Sequence, residues 1–159
     1  MRRSHSVHEM RQLLERRAEQ ESDVPPILDR LKQNGYLDDA RFAAEFARFH
    51  ARSRHQGRFR ITRELRTRGV PDRHIEAALD AVFAETDEPT MVRAHIQKKL
   101  AHIRGSLDQK KTASLYRSLL RAGFSGDSIR EGLRAAKIEA TTILEAAEAA
   151  QATEATEEI

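Results

Sequence analysis

One pattern of apolar residues and glycine occurs twice in this chain, 54 positions apart, and it limits the possible folds more than any other feature. In residues 57–79, GRFRITRELRTRGVPDRHIEAAL, apolar side chains fall at Ile61 and Leu65, then at Val70, Ile75 and Leu79, with Gly69 between the groups. The register returns as Leu115, Leu119, Gly123, Phe124, Ile129 and Leu133. Spacings of four broken by a glycine describe two amphipathic helices joined at a tight corner. Six matched positions without a gap mark an internal repeat. A shift of 51 towards the N-terminus lays Ile61 on Met10, Leu65 on Leu14, Ile75 on Val24 and Leu79 on Leu28. A first copy is therefore expected, with its corner degraded to Ala18 and Glu19.

Each copy reads as three helices. The first begins at about Ser6, whose hydroxyl and Glu9 three residues on form a capping-box pattern, and runs to Arg17. Pro25 and Pro26 fit only in the first turn of the second helix, where missing N–H groups cost little. Asn34-Gly35 ends that helix, because glycine takes the left-handed conformation freely. Asp38 or Asp39 then caps a third helix carrying Phe42, Phe46 and Phe49. In the middle copy the third helix starts near Asp87, and Gly105-Ser106 forms the joint to the last copy. There the helices are expected over Asp108–Ala122 and after Ser125. Residues 139–150 have helix-favouring Ala and Glu opposed by Thr141 and Thr142, and QATEATEEI at the end reads as disordered. The expected fold is all-α, a tandem array of three small three-helix repeats at 1–54, 55–104 and 105–138, followed by an acidic, partly disordered tail at 139–159.

A third of the residues are charged and 39% are apolar, which suits several thin helical cores better than one large one. With no cysteine, thiol chemistry and disulfides are excluded, in keeping with a reducing cytoplasm. No apolar run reaches the ~20 residues that cross a bilayer, and MRRSHSVHEM lacks the apolar stretch of a secretory signal. The seven histidines make no H-E-x-x-H pair; His95 and His102 share a helix face without a third ligand, so no metal or other cofactor is expected. Asp38-Asp39 reads as a capping pair rather than a catalytic one, and nothing orders a triad. An enzyme is not expected.

GYLDDARFA at 35–43, GRFRITRELRTRGV at 57–70 and KKTASLYRSLLRAGFSGDSI at 110–129 resemble the RecX family, bacterial regulators of the RecA recombinase. The likeness covers about residues 8–137. It implies an elongated, curved, monomeric protein that binds the RecA filament, most readily in its helical groove, and limits strand exchange and coprotease activity. DNA repair and the SOS response would then be affected. The structural residues of the resemblance are Gly35, Tyr36, Asp38, Asp39, Phe42, Ile61, Leu65, Gly69, Leu119 and Gly123. The chain departs from the family at its first corner and in the Ala/Glu-rich replacement of the last third helix.

Charge points to the surface that would do this. Residues 139–159 hold six of the 25 acidic residues and no Lys or Arg, leaving the remainder with 28 basic against 19 acidic groups. Such a body is drawn to polyanions. Residues 41–68 contain nine Arg against Glu45 and Glu64. From this stretch Arg52, Arg54, Arg58, Arg60, Arg63, Arg66 and Arg68 are candidates to face a filament or DNA, single-stranded or duplex. A second group comprises Lys98, Lys99, Arg104, Lys110, Lys111, Arg117 and Arg121; for both, the bland alternative is a solvated helix face. Reversing Arg58, Arg60 and Arg63 to Glu is expected to abolish inhibition and spare the fold. Phe59 is unmatched in the other copies (His8, Ala113) and reads either as local packing at the joint or as a stacking contact. A different class is an independent helix-turn-helix DNA binder, with Arg73 and His74 opening a short recognition helix. Glu76 and Asp80 on that helix weigh against base reading.

Overall fold

The structure, a computed structural model, describes residues 4–102, 107–138 and 140–157. The Gly105-Ser106 joint, Arg104, Glu139 and Glu158 lie outside the described residues. Nine α-helices form among those described: α1 Val7–Glu15, α2 Val24–Gln33, α3 Asp39–Arg52, α4 Arg58–Thr67, α5 Asp72–Glu85, α6 Glu88–Leu100, α7 Gln109–Arg121, α8 Gly126–Ala135 and α9 Ala140–Glu157. The fold is all-α, as the periodicity predicts.

The starts and stops follow local chemistry. Ser6, Asp38, Asp87, Asp108 and Ser125 each accept a hydrogen bond from the backbone N–H three residues on, satisfying a donor that the first turn leaves open. Ser6 and Glu9 complete the capping box, and α1 ends at Glu15, two residues before the expected Arg17. Gly69 and Gly123 close their helices at φ +70° and +89°. Their bonds repeat at the 54-residue offset: Gly69 and Gly123 N–H donate to Arg66 and Leu120 carbonyls at 2.8 Å, Val70 and Phe124 N–H to those of Leu65 and Leu119 at 3.1 and 3.3 Å. This is the Schellman closure, which needs a left-handed residue. Gly35, at φ +72°, ends α2 the same way. At the degraded corner, Ala18 N–H bonds to Leu14 carbonyl at 2.8 Å, and the chain reaches α2 through a 3-10 turn at Glu21–Asp23.

The helices divide into two compact units. One takes in the chain up to Arg54 and Ile61–Glu85; the other takes in His55–Arg60 and the chain from Thr86. In the first, Val24, Leu28 and Leu37 form a core against Val7, Met10, Leu14, Ala18 and Leu31. There α3 packs on α5, and buried Ala43, Ala47 and Ala51 give α3 a narrow face for close approach. Phe42 is buried, but Phe49 is 51% exposed, so the expected aromatic stripe does not all reach the core. In the second unit α8 lies on α6, where a Cβ on Gly132 would stand 2.6 Å from Val92 Cγ1, and α9 packs on α7. Ile143, Ala146, Ala147 and Ala150 of α9 are buried. Helix α9 continues to Glu157, correcting the expectation of disorder for residues 151–157. Packing against α7 supplies what Thr141 and Thr142 take from intrinsic propensity.

Within each unit, the start of one repeat's first helix docks on the glycine corner of the next repeat. In the first unit, Ser6 Oγ donates to Arg68 carbonyl at 2.6 Å, and the His8 ring lies where a Cβ on Gly69 would be, 2.4 Å from its Cγ. In the second, Gly57 N–H donates to Ala122 carbonyl at 2.7 Å and Phe59 N–H to Gly123 carbonyl at 3.1 Å. A Cβ on Gly123 would stand 2.4 Å from Arg60 N. Ser6 and Gly57 are matched positions, as are Arg68 and Ala122, so the joint repeats along with the helices.

His95 on α6 is half-buried, edge-on to the Phe124 ring at 6.0 Å. Burial first, then Lys99, Lys98 and His55, lower its pKa below the ordinary value of 6.5. A histidine held neutral in the folded state destabilises that state once protonated. Its contribution is therefore complete above pH ~6.5 and lost as pH falls through the lower folded-state value. The thermal midpoint is expected to drop less steeply in His95→Gln than in the unsubstituted chain between pH 7 and 5, read by circular dichroism melts.

Candidate polyanion-facing surface

In the first unit several candidate arginines are engaged within the fold. Arg52 pairs with Glu85 at 2.6 Å and Arg66 with Asp72 at 2.8 Å, and the hydrogen bond to Asp72 raises the Arg66 pKa above its usual value. Both pairs are exposed, where solvent screening leaves such bridges little to contribute. Arg68 is held more firmly: it pairs with Glu9 at 2.6 Å, both side chains largely covered, and its guanidinium lies 5.1 Å over the Phe46 ring. It ties α1 to α4 and α3 and is a strut rather than an outward contact. Arg54 lies 5.7 Å over the exposed Phe49 ring. Among the described residues no ion pair holds Arg63, which is exposed and lines a depression with Glu9, Glu64, Thr67 and Arg68.

In the second unit Arg60 donates to Arg121 carbonyl at 3.3 Å, so it helps hold α4 on the α7 corner. Reversing Arg60 together with Arg58 and Arg63 would remove this hydrogen bond along with three positive charges. Arg58, Lys111 and Arg117 are half-buried; Lys98, Lys99, Lys110 and Arg121 are exposed. Lys98 and Lys99 occupy the last turn of α6, where cations complement the helix dipole, so helix stability alone explains them. Lys110 and Lys111 do not have that explanation. Helices α4 and α7, matched in the repeat, carry no acid in their first turns and begin with Arg58 and Arg60, and with Lys110 and Lys111. Cations there oppose the dipole at a cost of ~0.3–1 kcal/mol each, so helix stability does not explain their placement. Sequence reasoning counted these charges without weighing their position in the turn, although the helix starts it drew made that possible.

The structural residues sort cleanly. Ile61, Leu65 and Leu119 are fully buried and Phe42 nearly so, while Gly35, Gly69 and Gly123 make corners. Asp38 caps α3, and Asp39 instead accepts the Val7 N–H at 2.9 Å, joining α1 to α3. Tyr36 departs from its grouping: its ring is 74% exposed, and Leu37 beside it is the buried member of that motif. Phe59 is 64% exposed, so it does not pack at the joint. The supposed recognition helix, α5, has 14 residues and is not short. Its Arg73 is exposed, with Nε 3.3 Å from His74 Nε2, and its first turn carries Asp72. Among the described residues no group of three His, Cys, Asp or Glu could hold a metal ion, and no helix is long and apolar enough to cross a membrane.

Comparison with known proteins fits this arrangement. Residues 38–79, covering α3, α4 and the first half of α5, match the family model for the RecX second three-helix domain. The chain is similar to the regulatory protein RecX of Halorhodospira halophila, 36% identical over 135 residues, spanning 85% of this chain and 81% of that one. It is 32% identical over 131 residues to the regulatory protein RecX of Chlorobium phaeobacteroides, covering 82% and 83%. Two solved structures share the fold: a regulatory protein RecX (TM-score 0.73, 21% identity, 81% of this chain and 64% of that one) and RecX from Lactobacillus salivarius (TM-score 0.72, 20% identity, 83% and 85%). Copied helix pairs, glycine corners and near full-length likeness to these relatives lead to one assignment: the chain belongs to the RecX family of regulatory proteins.

Proposed function

We propose that this protein binds the RecA–DNA filament and inhibits recombinase and coprotease activity, acting on DNA repair and the SOS response. In this reading it is a monomeric, cytoplasmic, non-catalytic regulator. The observation that carries it is the likeness to regulatory RecX proteins over 85% of the chain. The cations add a physical means. Those in the first turns of α4 and α7 are set against the helix dipole, and Arg63, Lys98, Lys99, Lys110 and Arg121 are exposed. Cations in the copies at 55–104 and 105–138 would meet phosphates or carboxylates along a filament, with strong salt dependence.

The test is RecA ATPase and strand exchange on single-stranded DNA, with and without this chain, at moderate salt. Inhibition at or below stoichiometric amounts is expected. Exchanging exposed Arg63 and Lys110 together for Gln should raise the concentration needed severalfold and flatten the salt dependence, with the thermal midpoint nearly unchanged. Tight, base-selective duplex binding without any effect on the filament would sink the proposal.

A further inference from the structure

We infer that Phe59 is a stacking platform for the bases of a single-stranded nucleic acid. The ring is 64% exposed, yet the backbone carrying it is pinned: Phe59 N–H donates to Gly123 carbonyl at 3.1 Å and Gly57 N–H to Ala122 carbonyl at 2.7 Å. A large apolar side chain is thus held out on a fixed support without entering a core. The fold does not ask for it there. At the matched positions His8 packs its ring against Gly69, and Ala113 is a buried alanine.

Charge around the ring selects the partner. Arg58 and Arg60 flank it, and exposed Arg121 sits on the corner where the segment docks. Neither the segment His55–Arg60 nor the corner Arg121–Gly126 contains Asp or Glu. The Gly57 and Phe59 amides are spent on the corner carbonyls, so the feature is an aromatic face among cations and not an amide cradle. A protein pocket would have to pair an apolar slot for the ring with carboxylates for the cations. Single-stranded nucleic acid meets both features, with bases free to stack on the ring and phosphates for the exposed Arg121 guanidinium. Duplex bases are already stacked on one another and present no free face.

The inference extends the filament reading, but its test needs no recombinase, so the two fail separately. The chain has no tryptophan, so Phe59→Trp places a single indole at the ring. Its fluorescence should be quenched by oligo(dT) and left unchanged by an abasic oligonucleotide of equal length. Phe59→Ala should weaken oligo(dT) binding about five- to a hundredfold, the factor carried by one base–aromatic stack. Affinity for the abasic strand and the thermal midpoint should stay unchanged. Saturating oligo(dT) without quenching, an equal loss of affinity for both strands, or a lowered melting point in Phe59→Ala would each overturn it. So would quenching by recombinase without DNA and none by oligo(dT), which would place the ring in a protein pocket.

Discussion

Gly123→Ala is expected to lose about 3–5 kcal/mol and ~6–20 °C of thermal midpoint, while Gly35→Ala loses only about 1 kcal/mol. Both glycines have φ near +80°, at +89° and +72°, so both variants meet the left-handed penalty of an L side chain, ~1–2 kcal/mol. Their surroundings differ. A Cβ at Gly35 meets nothing within 4 Å. At Gly123 it would stand 2.4 Å from Arg60 N and 2.5 Å from Arg60 Cβ, and the first of these is backbone that cannot rotate aside. The start of α4 would have to lift away, straining the bonds from Gly57 N–H and Phe59 N–H to the corner, each of about 1 kcal/mol. Urea titrations of the two variants decide the matter. Equal losses would mean that the corner serves only as a helix stop and the docking adds nothing.

Truncating the matched leucines comes next in size. Leu65→Ala in the first unit and Leu119→Ala in the second should each cost about 2–5 kcal/mol, because both side chains are fully buried and a thin core cannot collapse around the missing volume. Against a total of ~5–15 kcal/mol that is a large share of the stability. Leu144→Ala on α9, where the side chain is 58% exposed, should stay within about 0.5 kcal/mol. A loss at Leu119 no larger than at Leu144 would contradict the core assigned to α7.

What could be read before the structure was what local chemistry dictates. Ser6, Asp38, Asp87, Asp108 and Ser125 announce helix starts by side-chain type alone, and Gly35, Gly69 and Gly123 announce stops. The repeat then supplied the core, since Ile61, Leu65, Leu119, Ile129 and Leu133 recur at core spacing and are all fully buried. What could not be read depends on partners distant in sequence. Glu9 lies 59 residues from Arg68, and no periodicity reports that the arginine is tied to it. Exposure of Phe49, Tyr36 and Phe59 was hidden for a related reason: an aromatic residue's type says core until neighbouring helices show whether a wall is there. Helix α9 was missed beyond residue 150 because its weak intrinsic propensity is overridden by packing on α7.

The joint between helix start and glycine corner is made largely of main-chain atoms: two amides meet two carbonyls in one unit, and a serine hydroxyl stands in for an amide in the other. Apart from Ser6, His8 and Arg60, side chains there are not bound by the joint, provided nothing bulkier than hydrogen occupies the corner α-carbon. A lineage can then recolour the outer surface of any copy, charge by charge, and keep the same mechanical coupling. Gene duplication or loss of a copy would leave each junction ready-made.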